Sequence, residues 1–349
     1  MNLSVGIAGL PNVGKSTLFN ALLKRQLAKT APYPFTTIEP SEGVVDVPDE
    51  RLNKLAELIK PEKVTPASIE FIDIAGLVKG AHKGEGLGNE FLGQIKNVDV
   101  IAEVIRSFPD ENIEHVLGTI EPERDKEIVQ TELILKDLET VNKVLDKEKD
   151  IHKKNIFEKV KNGLNKGKQV REMIVDEEEG KLVLELNLLT AKPIFYILNI
   201  PEDQLNSKNV SLLEDNETVV VSAKIEEEIA ALTSDEQREY LSSYGISESG
   251  LNKVINKSKK LLDLITFYTI KGGREVRAWS IRRGSSTIEA ANMVHSDMAK
   301  GFIKAEVISF REFAKLGNWH KAHEEGKINL MGKDHQIADG DIVEFKFSV

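Results

Sequence analysis

The sequence predicts an α/β fold: a mostly parallel sheet wound with helices, interrupted by an inserted antiparallel helical coiled coil and followed by a smaller C-terminal module. Three observations carry that expectation. Strand-sized apolar runs alternate with helical stretches through most of residues 1–264, the order that builds a parallel sheet covered by helices. Between residues 126 and 190 the alternation gives way to a charged stretch with heptad-like apolar spacing. From residue 265 onward the pattern becomes short strands around a single helical stretch.

The first strand is marked by Leu3, Val5 and Ile7 alternating into Ala8, and the first helix by Leu18, Phe19 and Leu22 over residues 16–24. Between them, Gly9-Leu10-Pro11-Asn12-Val13-Gly14-Lys15-Ser16-Thr17 matches G-x-x-x-x-G-K-[ST] at every fixed position. Glycines let the backbone wrap so that successive N–H groups face phosphate oxygens, and the following helix N-terminus adds its dipole. The sheet is therefore expected to be that of a P-loop NTPase, G-domain-like, with Asn12, Val13, Gly14, Lys15, Ser16 and Thr17 around the phosphates. Lys15 is the expected catalytic cation at the β- and γ-phosphates, and Ser16 a ligand of Mg2+.

Further strands are expected at residues 43–47, 69–74, 98–108, 193–199 and 218–222. Asp73-Ile74-Ala75-Gly76 ends the second of these, so Asp73 is expected to hold magnesium through water and the Gly76 amide to approach the γ-phosphate. In the intervening Pro34-Phe35-Thr36-Thr37-Ile38-Glu39-Pro40, the Thr37 hydroxyl is expected to complete the metal shell. Ile134, Leu138, Val141 and Leu145 fall at 4-3-4 spacing, and Ile156, Val160 and Leu164 follow a polar run. These read as a helical hairpin inserted into the sheet domain, with residues 182–189 returning to it; one more pair of domain-covering helices is the alternative. At the C-terminal end, strands around residues 277–281 and 305–308, a helix around 287–298 and the alternation from Asp341 to Phe347 make a compact α+β module. The expected division is 1–125 and 191–264 for the nucleotide domain, 126–190 for the insertion and 265–349 for the C-terminal module.

The 349 residues, 40% apolar and 30% charged with a net charge of −10, describe a folded chain of more than one domain and exclude disordered and collagenous classes. Without cysteine there is no disulfide, thiolate nucleophile or cysteine-ligated metal. The longest apolar stretches, such as residues 194–198, are far short of the ~20 residues of a membrane helix. No signal peptide is visible at Met1-Asn2-Leu3-Ser4-Val5, so a cytoplasmic location is expected.

The order of these elements resembles the Obg-related translation-factor GTPases. The resemblance is carried by Leu10-Pro11-Asn12, Tyr33-Pro34-Phe35-Thr36-Thr37, and Asp73-Ile74-Ala75-Gly76-Leu77-Val78-Lys79-Gly80-Ala81 with Gly84-Glu85-Gly86-Leu87-Gly88-Asn89. More closely, and end to end, the chain resembles the YchF/Obg-like ATPase family. That resemblance implies a nucleotide domain, an inserted coiled coil and a C-terminal ubiquitin-like β-grasp (TGS) module. It also implies ATP and ADP as ligands, ATP preferred over GTP, and the ribosome or its RNA as partner; a monomer is expected.

Guanine is read in GTPases by N-K-x-D, where the aspartate accepts from N1–H and the 2-amino group. Here the strand end is Asn199-Ile200-Pro201-Glu202: the acid is one methylene longer and isoleucine replaces lysine, so guanine pairing is expected to fail. Adenine, with a bare N1 acceptor and a 6-amino donor, suits Asn199 and the backbone beside Ile200. Val221-Ser222-Ala223-Lys224 resembles the motif that supports the base, which places Ser222 and Ala223 at the ring. Leu77 stands where many GTPases carry the glutamine that orients water, so slow intrinsic turnover is expected. The family resemblance points instead to His115 as a catalytic group reaching the γ-phosphate. Asn12 matches a position where related enzymes bind K+.

His320 and His323 lack a convergent third ligand and read as a solvated helix face. Lys271, Arg274, Arg277, Arg282 and Arg283 with Trp279 offer charge and an aromatic face to RNA. The leading expectation is a ribosome-associated Mg2+-dependent ATPase acting as a nucleotide switch. The alternatives are an ATP-sensing binding protein with negligible turnover and a conventional GTPase.

Overall fold

The computed structural model describes residues 3–29, 41–76, 87–110, 113, 115–173, 176–205 and 213–348. In chain order its first half runs β1 (Ser4–Ala8), α1 (Lys15–Lys29), β2 (Glu42–Asp46), α2 (Glu50–Ile59), β3 (Lys63–Thr65), β4 (Ser68–Asp73), α3 (Leu87–Asn97), β5 (Val100–Arg106), α4 (Pro122–Leu145), α5 (Ile151–Leu164) and α6 (Glu177–Leu184). The second half follows with β6 (Ile194–Asn199), β7 (Thr218–Val221), α7 (Ala223–Ile229), α8 (Ser234–Ser243), α9 (Gly250–Leu261), β8 (Leu264–Lys271), β9 (Glu275–Arg282), α10 (Thr287–Val294), β10 (Phe302–Ser309), β11 (Asn329–Met331) and β12 (Asp341–Phe347). Each strand expected in the first 264 residues is present within two residues of its expected ends.

The chain divides into two compact units. One comprises Met1–Val45 and Glu70–Ser258; the other comprises Asp46–Ile69 and Lys259–Val349. In the first, the strand order is β2-β4-β1-β5-β6-β7, and β1 pairs in parallel with both β4 and β5, as do β5 with β6 and β6 with β7. Every residue of β1 and β5 is buried, as strands covered on both faces require. The parallel register aligns the strand ends, so the loop after β1 and the loops after β4, β5, β6 and β7 open on one edge, where such sheets bind ligands.

Within the same unit, α4 and α5 are joined by five residues and share a buried core that includes Ile134, Val141, Ile156, Val160 and Leu164, with Leu138 and Leu145 against it. Val170, Val183 and Leu188 belong to that core too. The returning segment is thus part of the helical body, because a hairpin of only two helices would leave its other apolar side in water. Asp137 of α4 ties the return down, accepting from Leu189 N and Thr190 N at 2.8 Å each and from Thr190 Oγ1 at 2.6 Å.

The second unit has the strand order β11-β10-β12-β8-β9-β3. β8 and β9 form an antiparallel hairpin, β12 pairs in parallel with β8, and β10 pairs antiparallel with β12. The hairpin, the helix after it and the parallel central pair match the expected β-grasp arrangement. The helix expected over residues 287–298 is broken at His295, whose φ of −164° is extended, into α10 and a short helix Ser296–Lys300. Residues 46–69 were expected in the nucleotide domain, yet β3 pairs in parallel with β9 through Lys63↔Glu275 and its two successors. Arg51 at the start of α2 bridges Asp49 at 3.1 Å and Asp339 at 2.7 Å, while Tyr268 donates to Asp49 at 2.6 Å.

Candidate nucleotide site

The loop from Gly9 to Gly14 takes the wrapped course that the motif demands. Gly9, Asn12 and Gly14 have φ of 143°, 64° and 97°, so three of its residues hold conformations that L side chains rarely adopt. A Cβ at Gly14 would come within 2.4 Å of Asn199 Nδ2, which makes glycine a steric requirement there. α1 begins immediately after, at Lys15, and points its free N–H groups into the loop. Val13 is buried beneath, Thr17 is half-buried, and Asn12 and Ser16 are exposed.

Lys15 is 7% exposed and folds back to donate to Leu10 O at 2.9 Å. Burial lowers its pKa, and nearby Asp73 partly offsets this. Gly76 lies against the same ammonium: a Cβ there would be 3.3 Å from Lys15 Nζ. Ser16 Oγ donates to Asp73 Oδ2 at 3.2 Å, while Asp73 Oδ1 is buried without a protein partner. Burial raises the Asp73 pKa, with Ser16 and Lys15 pulling it back. A hydroxyl beside an unsatisfied buried carboxylate oxygen is a donor set suited to a hard divalent cation, so Ser16 and Asp73 fit Mg2+. Thr37 and Leu77 lie outside the described residues. Among the described residues no cluster of three His, Asp or Glu suits a metal; His320 pairs with Glu324, and His323 with Glu306.

From the phosphate loop a cavity of about 680 Å³ runs past Lys15, Ser16 and Thr17 to Asn199, Ile200, Glu202, Ser222 and Ala223. Most of the residues expected from sequence therefore share one wall, but three have unexpected roles. Asn199 is 3% exposed, and both ends of its amide are used: Nδ2 donates to Val13 O and Oδ1 accepts from Ala223 N, each at 3.0 Å. Asn199 ties the phosphate loop to the base-side loop, a task different from the direct adenine contact expected. Glu202 accepts from Lys224 Nζ at 2.7 Å, so its carboxylate is held by a cation at the cavity rim. His115 is 5% exposed and absent from the lining: its Nε2 lies 2.8 Å from Asp125 Oδ2, and its Nδ1 accepts from Leu117 N at 3.2 Å. In this arrangement both ring nitrogens are engaged in the interior, away from the cavity lining.

Sequence reasoning also passed over Arg106. This fully buried cation at the end of β5 donates to Phe108 O at 3.0 Å, Ile113 O at 3.0 Å and Asn12 O at 3.4 Å, linking the phosphate loop to the segment that carries Phe108, Pro109, Asp110 and Ile113 along the cavity. Its signal was available: a cation closing an apolar strand whose one other charge is Glu103. In the C-terminal unit, Trp279 carries the Arg277 guanidinium at 3.8 Å, lies nearly parallel to Phe267 at 6.3 Å and donates to Thr269 at 2.9 Å. This half-buried ring is engaged in packing within the unit.

Residues 4–199 match a family model described as "50S ribosome-binding GTPase", and residues 264–348 match the YchF-GTPase_C model, described as a protein of unknown function. The chain is 46% identical to the Ribosome-binding ATPase YchF of Bacillus subtilis and 42% identical to that of Escherichia coli O157:H7, in both cases over 100% of either chain. Among solved structures, the Schizosaccharomyces pombe YchF GTPase superposes with a TM-score of 0.88 at 35% identity, covering 99% of this chain and 98% of the other.

Proposed function

The chain belongs to the YchF family of P-loop nucleotide hydrolases, and from that premise we propose that it is a ribosome-associated, Mg2+-dependent ATPase that takes ATP in preference to GTP. The observation that carries the base preference is Glu202. Its carboxylate is paired with Lys224, and its neighbour Ile200 lines the cavity where guanine readers place a lysine. Guanine's N1–H and 2-amino donors would lose their acceptor, at about 1–3 kcal/mol for each group left unpaired. Backbone carbonyls beside Ile200 can accept from adenine's 6-amino group, the Ile200 N–H being given to Val221 O.

In this reading the amides of residues 12–17 and the α1 dipole take the phosphate charge, and Lys15 turns from Leu10 O toward the β- and γ-oxygens. Ser16 and Asp73 would hold magnesium, with Thr37 as a further ligand; bound there, the metal neutralises charge developing on the transferred phosphoryl group. Gly76 supplies the close backbone approach. His115 is the proposed aligner of the attacking water. Asn12 is the proposed K+ contact, its side chain exposed while its carbonyl accepts from Arg106. Nucleotide state would alter the segments around Thr37 and Gly76 and so act as a switch. The helical insertion and the TGS-like C-terminal unit are the proposed ribosome-facing parts of a cytoplasmic monomer.

Competition against a fluorescent nucleotide tests the base assignment. ATP is expected to displace it at lower concentration than GTP; equal or stronger competition by GTP rejects the assignment. A nucleotide sensor with negligible turnover is the second reading, favoured by the burial of His115 against Asp125. Single-turnover hydrolysis with and without ribosomes separates the two, since stimulation supports a catalytic cycle.

A further inference from the structure

We infer that Asp125 is a positioning residue that holds His115 out of the phosphate cavity, so that hydrolysis depends on the placement of helix α4. The inference rests on the reading of His115 as the water-aligning group. The Leu117 amide donates to Nδ1, so a neutral ring carries its proton on Nε2 and donates it to Asp125 Oδ2 at 2.8 Å. Both side chains are only 2% exposed. The second carboxylate oxygen of Asp125 accepts from Arg124 Nη2 at 3.2 Å, which fixes the acceptor in place.

The geometry makes this a parking position and not simply a satisfied core histidine. Ile113, two residues upstream, lines the cavity and is fastened to the phosphate loop through Arg106. Two residues of chain span at most about 7 Å, so His115 sits one side-chain swing from the cavity wall. Downstream, residues 115–120 have no helix or strand, and Gly118 has a φ of 78° with open space around it. On separation the Asp125 carboxylate keeps its bond from Arg124 Nη2, so it is not left without a partner. The pair is therefore a contact that can open.

Asp125 makes the first main-chain bond of α4, from its N–H to Glu121 O. α4 as a whole is 24 residues, about 36 Å, and runs on into the helical body. Gln130 donates to Tyr196 OH of β6 at 2.7 Å, and Lys126 Nζ lies 3.8 Å from the centre of the same ring. These contacts seat the first turns of α4 on β6, so the acceptor for His115 is mounted where the helical body joins the sheet.

The test is single-turnover phosphate release from ATP by the full chain with Mg2+, with nucleotide affinity measured in parallel, for Asp125→Ala, Asp125→Asn, His115→Ala and the Asp125→Ala/His115→Ala double variant. Asp125→Ala is expected to hydrolyse about tenfold faster than wild type without ribosomes, the population shift that losing one hydrogen bond to a charged group produces. Asp125→Asn, which keeps an acceptor, should fall between the two, and the double variant should be as slow as His115→Ala. Nitrogen NMR of the ring should show a slowly exchanging Nε2–H in wild type that exchanges rapidly in Asp125→Ala. An Asp125→Ala rate at or below wild type beside a slow His115→Ala refutes the inference and leaves the reading of His115 standing. A wild-type rate for His115→Ala overturns that reading itself. Should Asp125→Ala fail to fold, an unchanged rate and unchanged ring exchange in Asp125→Asn refute the inference equally.

Discussion

Replacing Asn199 with alanine removes a side chain that joins the phosphate loop to the base-side loop. Its amide makes two buried hydrogen bonds at 3.0 Å, to Val13 O and from Ala223 N. Truncation leaves one carbonyl and one N–H without those partners in a site that is 3% exposed. Each group costs about 1–3 kcal/mol when stranded, and water reaching the cavity side recovers part of that, so a loss of about 2–4 kcal/mol is expected. At about 2–4 °C per kcal/mol for a unit of this size, the melting midpoint followed by circular dichroism should fall by roughly 5–15 °C. Calorimetric titration with ATP and Mg2+ should show affinity weakened about tenfold or more, because the two loops no longer hold their spacing. Asn199→Asp should not rescue: it keeps an acceptor for Ala223 N but sets a carboxylate oxygen against Val13 O. Stability within about 0.5 kcal/mol of wild type with unchanged affinity would show that the bridge is idle and refute the reasoning.

Two further outcomes follow from buried charge. Burial pushes the Glu103 carboxyl up to about 8, against an ordinary value of 4.5, with Lys126 and Arg171 only partly opposing it. The folded chain thus keeps a proton that the unfolded chain releases, and stability should fall as pH rises from about 4.5 to 8, by at most about 1.4 kcal/mol per pH unit. Glu103→Gln should show a shallower fall than wild type over that range, what remains coming from other buried carboxyls such as Glu226, which burial pushes up to about 7; an identical fall in variant and wild type would exclude Glu103 as the cause. Arg106→Lys replaces three fixed donors with one compact ammonium that cannot span Asn12, Phe108 and Ile113. Its KM for ATP should rise about tenfold while the circular dichroism spectrum is retained, and an unchanged KM would remove Arg106 from the support of the site.

Much of the fold was legible because its signals are local. The alternation of Leu3, Val5 and Ile7 falls within one residue of β1, and the 4-3-4 spacing of Ile134, Leu138, Val141 and Leu145 reappears in the core shared by α4. β3 was not legible: three residues carry no readable period, and its partner β9 lies more than 200 positions later. The same distance problem hid the tasks of polar side chains. Nothing local says that Asn199 spends its amide on Val13, 186 positions away, or that Arg106 reaches Asn12, 94 positions away.

By itself the sequence determined the phosphate loop and the strand and helix around it, since left-handed backbone at Gly9 and Gly14, a lysine and a helix N-terminus are all specified by adjacent residues. It determined as well that an aspartate closes the strand at residues 69–74 with a glycine just beyond, and that Glu202 stands where guanine readers carry aspartate. Only the tertiary structure decided which polar groups face the cavity and which are consumed in holding it together. The reason is that a buried donor or acceptor must find a partner. For Asn199, Arg106 and His115 that partner was supplied by packing between elements, which local spacing does not encode.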